Sequence, residues 1–284
     1  MNILTLSLGL TGLVLGASCT TIREMPEQPS PEGVVRVPLV LEGGMAWVDA
    51  RIGGKPVRLL LDTGGFDAVA LTPEVLAGLD VTWTGRSKST YSAMGETARA
   101  REYALPEFEL GGVVFRDAKG YEDLLLGTRQ AVGRSGYLGL GILRRFRLVI
   151  DFAARRLVLI WPDAPTPAEY DVENWPAVEF AASSDGIVGR AKVDGVERLL
   201  VWDTGASHCV LKTGLEGANP VRLEGGHPFI TAASFEVRGR ELGATDFALL
   251  PFKQPRADGF VGYPFFVKHA VYVDFTNRIF AIRP

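Results

Sequence analysis

Two short stretches restrict the possible folds of this chain more than anything else in it. Leu59-Leu60-Leu61-Asp62-Thr63-Gly64-Gly65 and Leu200-Val201-Trp202-Asp203-Thr204-Gly205-Ala206 each run an apolar segment into an aspartate at a Thr-Gly turn. Such an apolar run reads as a buried strand, and glycine takes backbone angles that residues with a Cβ avoid. Each aspartate is therefore expected at the rim of a hydrophobic core, where a strand ends. On average residue usage, one Asp-Thr-Gly arises by chance in about one chain of this length in twenty. Two copies in the same strand context point to a duplicated unit.

Other landmarks recur at matching distances. Gly53-Gly54 opens nine residues before Asp62, and Asp194-Gly195 opens nine before Asp203. Gly136-Tyr137-Leu138-Gly139 and Gly259-Phe260-Val261-Gly262 each begin 15 residues before a closing aspartate, Asp151 or Asp274, that is followed by phenylalanine. Asp62 and Gly136 are 74 residues apart and Asp203 and Gly259 are 56 apart, so the second unit is 18 residues shorter in its middle. Ends kept and a middle altered imply two similar lobes related by a pseudo-two-fold, with loops and flaps absorbing the difference.

The 33 glycines and 17 prolines punctuate short runs of Val, Leu, Ile and Phe, a mainly β pattern. Strands are expected over Val34–Leu41, Ala46–Ile52, Val57–Leu61, Ala68–Leu71, Phe108–Val114, Arg147–Phe152 and Arg156–Trp161. A short helix is expected at Pro73–Ala77, one helical turn at Leu143–Phe146 and an exposed hairpin at Ser87–Glu96. The Pro-rich segment from Pro162 reads as a linker. The folded chain is thus expected as a lobe at 34–161, a linker at 162–176 and a second lobe at 177–284. Hydrophobic residues make up 47% and charged ones 22%, enough for a substantial core. A net charge of −3 without a basic block argues against a nucleic-acid partner.

Residues 1–18 carry no charge, and the apolar run Ile3–Ala17 is short for a membrane span. It ends in Leu15-Gly16-Ala17-Ser18-Cys19, which resembles a bacterial lipoprotein signal. The resemblance implies removal of the signal peptide 1–18, lipid attachment at Cys19 and membrane anchoring in the cell envelope. Thr20 after the cysteine leans towards the outer membrane, facing the periplasm. An ordinary secretory signal is the alternative. Residues 19–33, with Pro26, Pro29 and Pro31, read as an extended tether. Cys19 and Cys209 are the only cysteines, so no disulfide framework is expected.

Each half resembles a retropepsin-type aspartic protease unit: strand, Asp-Thr-Gly loop, flap hairpin, then an apolar-apolar-Gly motif, here Tyr137-Leu138-Gly139 and Phe260-Val261-Gly262. Phe146–Asp151 and Ala270–Asp274 are similar to the strands that close bacterial members. Both halves in one polypeptide imply an all-β, pepsin-like bilobal arrangement with a cleft between the lobes, and a monomer. The resemblance makes Asp62 and Asp203 catalytic. It makes Thr63, Gly64, Thr204 and Gly205 the support of the active-site loops, the threonines cross-linking them. Tyr91, Met94 and Gly95 are candidates for one flap tip, and Gly225-Gly226-His227 for another.

The chemistry follows from proximity. Two carboxylates brought close cannot both ionise, so they share one proton. The ionised one takes a proton from water while the protonated one polarises the scissile carbonyl, hydrolysing a peptide or protein substrate without metal, cofactor or covalent intermediate. Gly65 and Ala206 offer no hydroxyl beside the carboxylates, which predicts activity at weakly acidic to near-neutral pH. Three other readings stand beside this one. The repeated loop could be purely structural, since Asp and Gly are common in turns. Trp202 and Gly65 could displace a carboxylate and leave an inactive, peptide-binding envelope lipoprotein. His208 and Cys209 invite a nucleophile reading, but neighbours on a strand point to opposite faces. His208, His227 and His269 lack metal-ligand spacing. Asp151 and Asp274 read as turn residues outside the cleft.

Overall fold

The duplication extends through the sheet topology. The computed structural model describes residues 25–26, 30–91, 96–116, 118–124, 135–183, 186–252 and 257–283. In the first half β1 (Val34–Pro38), β2 (Val40–Glu42), β3 (Met45–Ile52) and β4 (Lys55–Leu61) lead to Asp62. β5 (Val69–Leu71) and α1 (Pro73–Leu76) follow, then the hairpin β6 (Thr82–Tyr91) and β7 (Thr97–Ala104). β8 (Phe108–Leu110), β9 (Val113–Phe115), β10 (Lys119–Glu122) and β11 (Gly136–Leu138) precede α2 (Leu140–Leu143). β12 (Arg147–Asp151) and β13 (Arg156–Ile160) close this half.

The second half repeats the plan. β14 (Ala177–Glu179), β15 (Ala181–Ser183), β16 (Gly186–Val193) and β17 (Val196–Trp202) lead to Asp203. β18 (Val210–Lys212), β19 (Arg222–Glu224), β20 (His227–Ala232), β21 (Phe235–Val237), β22 (Arg240–Glu241) and β23 (Thr245–Leu250) follow. β24 (Gly259–Val261), α3 (Tyr263–Phe266), β25 (Val271–Asp274) and β26 (Ile279–Ile282) complete it.

Each half builds one sheet in the same order. The first runs β6-β7-β10-β5-β11-β4-β3-β8-β9 and the second β19-β20-β23-β18-β24-β17-β16-β21-β22, strand for strand the same path. A third sheet, β1-β13-β12-β25-β26-β14, is shared. Its order reads the same from either end once the halves are exchanged, and its centre is the antiparallel pair β12 and β25, with Val149 opposite Tyr272. The pseudo-two-fold passes through that pair. The matched dipeptides noted in the sequence are hairpin turns, Gly53 and Gly54 at φ 54° and 77°, Asp194 and Gly195 at φ 48° and 77°. Positive φ at both central residues is what a tight hairpin between right-twisted strands demands.

Several expected boundaries shift. Val34–Leu41 is two strands, because the chain passes from the shared sheet to the first-half sheet at Pro38-Leu39. The helical turn expected at Leu143–Phe146 sits earlier, at Leu140–Leu143, since Phe146 is drawn into an aromatic cluster with Phe115 and Trp161. Residues 162–176 pack Tyr170 and Trp175 into a cluster with Val149, Val158 and Tyr272 of the shared sheet. Asp151 and Asp274 are buried turn caps, accepting the Ala154 and Asn277 backbone N–H groups at 3.0 and 2.9 Å. The signal 1–18, Cys19, Met94 and Gly95 lie outside the described residues, as does most of the tether. Among the described residues no helix is long and apolar enough to cross a membrane.

The hairpin β6–β7 is pinned at its base by an ion pair. Arg101 donates to Glu122 from its backbone N–H and Nε, both at 2.9 Å, and from Nη2 at 2.6 Å. That bonding holds the Glu122 carboxyl below the usual carboxylate range, against the opposing effect of its burial. A depressed folded-state pKa adds stability that is present above the unfolded-state value and lost as pH falls through the folded one. Glu122→Gln is therefore expected to lower Tm near neutrality. The difference from the wild type should close as thermal melts are taken below about pH 4, the ordinary glutamate range.

Candidate active site

The two aspartate loops meet where the halves join, and they hold each other through their threonines. Thr63 donates its backbone N–H to Thr204 Oγ1 at 3.1 Å, and its own hydroxyl donates to the Trp202 carbonyl at 2.7 Å. Thr204 reciprocates, with its N–H to Thr63 Oγ1 at 3.0 Å and its hydroxyl to the Leu61 carbonyl at 2.7 Å. Both threonines are buried, Thr63 1% exposed and Thr204 0%. Buried polar groups are costly unless paired, and here every hydroxyl bond crosses between the halves.

Each aspartate sits in an equivalent frame. The Asp62 N–H bonds the Leu138 carbonyl at 3.0 Å and the Asp203 N–H bonds the Val261 carbonyl at 2.9 Å, so each apolar-apolar-Gly motif runs beside its own loop. Asp62 Oδ1 accepts the Gly64 N–H at 2.9 Å, and Asp203 Oδ1 accepts the Gly205 N–H at 2.8 Å. The glycines also face the opposite carboxylate. A Cβ on Gly64 would lie 2.7 Å from Asp203 Cγ, and one on Gly205 2.6 Å from Asp62 Cγ. Each carboxylate is thus pressed against a glycine whose N–H holds the other, which brings the two together at the axis. Both aspartates are half-buried, so neither is walled off from solvent.

The residues that raised doubt in the sequence are accounted for locally. Trp202 is fully buried and turns away from the carboxylates, with its ring 4.6 Å from Phe280 and 5.2 Å from Phe265. Its contribution to the junction is its carbonyl. Gly65 is small because Tyr137 lies over it, where a Cβ would come 2.5 Å from Tyr137 Cε2. Tyr137 donates its hydroxyl to Asp67 Oδ2 at 2.9 Å, and Asp67 also pairs with Lys88 of β6. Burial, followed by the charges of Asp67 and Asp62, pushes the Tyr137 phenol well above its ordinary value, so it stays a donor. Gly65→Ser is expected to destabilise by about 1 to 3 kcal/mol through overpacking. Denaturant unfolding of Gly65→Ser with Tyr137→Leu should recover much of that loss.

His208 and Cys209 do not cooperate. His208 is exposed and bonded to Ser207 Oγ at 2.9 Å, while Cys209 is buried and accepts the Gly262 N–H at 3.4 Å. Burial pushes the Cys209 thiol up to about 11, so it remains protonated at neutral pH. Of the flap candidates, Tyr91 ends β6 and is 60% exposed, and His227 opens β20 after the turn at Gly225-Gly226. Sequence reading missed Asp67, Lys88 and Tyr137 as a group. The only available signal was that Tyr137 belongs to the motif beside the loop.

Residues 48–142 match a family model described as "Aspartyl protease". The matched segment contains Asp62, Thr63 and Gly64, and it ends before the second half. Similar solved structures include an aspartic proteinase from Irpex lacteus, 13% identical, with a TM-score of 0.60 over 88% of this chain and 96% of that one. No curated protein matches the chain. The chain has the aspartic protease-like fold, all-β with two lobes. Family match and fold together support a protease-type function.

Proposed function

We propose that this chain is an aspartic endopeptidase in which Asp62 and Asp203 share one proton and activate a water between them. The observation that carries the reading is the reciprocal packing of the loops, each carboxylate set against the glycine that holds the other. Close carboxylates favour the singly protonated pair. The ionised member removes a proton from water as it attacks the scissile carbonyl, and the protonated member donates to the carbonyl oxygen. Thr63, Gly64, Thr204 and Gly205 keep the pair in register. Because the loops are fixed by buried bonds across the axis, little reorganisation accompanies reaction.

The substrate is a peptide held extended between the lobes, here taken as residues 34–161 and 177–284, by strand-like pairing. In the same proposal residues 1–18 are a signal peptide, Cys19 carries lipid, and the tether 19–33 sets the enzyme, as a monomer, above an envelope membrane. The test is hydrolysis of a pooled peptide set. Cleavage that a statine-type inhibitor blocks at one molecule per chain supports the reading. Tight capture of peptides without cleavage, unchanged in Asp62→Asn, would leave a binding lipoprotein instead.

A further inference from the structure

The two halves brace their aspartate loops with the same backbone bonds and with different side chains. Leu140 donates its N–H to the Gly65 carbonyl, and Tyr263 donates its own to the Ala206 carbonyl, both at 2.8 Å. Tyr137 and Phe260 hold equivalent places, as the first apolar residue of each motif beside a loop. Asp67 and His208 are equivalent too, each the fifth residue after its aspartate. There the likeness ends. Tyr137 lies over Gly65 and donates its hydroxyl to Asp67 Oδ2 at 2.9 Å, whereas Phe260 has no hydroxyl and packs 5.1 Å from the Phe252 ring. The Asp67 side chain is only 11% exposed and is ion-paired, whereas His208 is exposed and bonds its neighbour Ser207.

From the Asp62 loop the contacts continue through three strands. Lys88 of β6 pairs with Asp67 Oδ1, and its Nζ lies 4.1 Å from the centre of the Tyr121 ring on β10. Tyr121 donates its hydroxyl to Glu102 Oε2 of β7 at 2.8 Å. The groups that face Asp67 are therefore the Lys88 ammonium and the phenols of Tyr103, Tyr121 and Tyr137. Burial, and after it carboxylate charges that include Asp67, pushes all three phenols up, so they stay neutral. Tyr137 is also within reach of the charges of Asp62 and Asp123.

A covered carboxylate is tolerated when a cation and a hydroxyl both serve it. With Lys88 in place, Asp67 adds a nearly neutral ion pair to the surroundings of Asp62. Without Lys88 it would add a bare negative charge.

We propose that Lys88, Asp67 and Tyr137 form a positioning unit for Asp62: Tyr137 clamps the loop at Gly65 and Asp67, and Lys88 balances the charge of Asp67 beside the catalytic pair. This rests on the peptidase reading. The immediate bonds of the two aspartates match, but only the first loop is braced through charge. The pair's protonation is therefore sensitive to substitutions in the first half that have no equivalent in the second.

The test follows pH–rate profiles of the full chain in detergent, with rates counted per molecule that binds a statine-type peptide. Lys88→Met should move the profile up by about half a pH unit, because the uncompensated Asp67 carboxylate disfavours the negative charge on the pair. Asp67→Asn leaves the Lys88 cation and should move it down by a similar amount. The double variant Asp67→Asn/Lys88→Met should return it to the wild-type position. Tyr137→Phe keeps the ring over Gly65 and loses only the bond to Asp67, so kcat should fall about tenfold with KM nearly unchanged. His208→Gln, at the equivalent place in the second half, should match the wild type. Profiles of the two charge variants that coincide with that of the wild type would overturn the positioning unit and leave the peptidase standing. So would an undiminished kcat in Tyr137→Phe, or an equal change in His208→Gln. A wild type that neither cuts peptides nor binds the statine peptide would overturn the peptidase reading and the positioning unit with it.

Discussion

Replacing Asp203 by asparagine is expected to lower peptide cleavage by about a thousandfold or more, the scale of removing a general acid-base group. Asparagine keeps the shape, and its Oδ1 can still accept the Gly205 N–H that Asp203 accepts at 2.8 Å. It cannot take a proton from water. Asp62→Asn should do the same, because the frames around the two are equivalent and neither acts alone. The two losses should not multiply in the double variant, since each single change already dismantles the shared proton. Stability should be unchanged or higher, because one of two mutually repelling carboxylates is gone. Parallel rate and unfolding measurements separate this from simple misfolding. A variant that kept a tenth or more of wild-type activity would show that the reaction runs elsewhere.

Thr204→Val carries the second large effect, and it acts first on stability. Valine preserves the volume but leaves the buried Thr63 N–H without its acceptor and the Leu61 carbonyl without its donor, bonds of 3.1 and 2.7 Å. Each stranded group costs about 1 to 3 kcal/mol, so about 2 to 6 kcal/mol is expected from equilibrium unfolding. The loss falls on the junction between the lobes, which also positions the carboxylates. Activity of the folded fraction should therefore fall by about a hundredfold, as misplacement by an ångström would cause. Thr204→Ser keeps the hydroxyl and should retain most of both. Thr63→Val should mirror Thr204→Val, and the pair should be non-additive because the two hydroxyls touch, Thr204 Oγ1 donating to Thr63 Oγ1 at 3.4 Å, and brace one junction. Two additive, separate costs would mean that the threonines serve their own lobes only.

The loops were legible because two signals coincide at each of them. Buried strands need uninterrupted apolar residues, as in Leu59–Leu61 and Leu200–Trp202, and Asp-Thr-Gly follows each, its glycine demanded in the fold by the opposite carboxylate rather than by a positive φ. The recurrence at Gly53-Gly54 and Asp194-Gly195 was readable from local chemistry, since positive φ at both positions excludes most side chains. The shared sheet was not legible. Nothing in β1 or β12 announces a partner more than a hundred residues away, and the pairing of Val149 with Tyr272 exists only once both lobes are folded. The first hairpin is longer than its sequence suggested, because the covered face of its outer part carries Lys88, Thr90, Ala98 and Ala100 instead of large apolar residues and so lacks a strong apolar alternation. The Asp67, Lys88 and Tyr137 group joins residues from three separate segments and has no spacing to find. Gly65 shows the converse. Its lack of a side chain looked like a departure in the sequence, and in the fold it is the space that Tyr137 fills.

Structure determination of the chain with a statine-type peptide bound tests the central claim most directly. The account predicts one inhibitor per chain, extended across the junction of the lobes, with its hydroxyl within hydrogen-bond reach of both Asp62 and Asp203, on the order of 3 Å. An inhibitor seated elsewhere, or a hydroxyl touching only one of the two carboxylates, would contradict it.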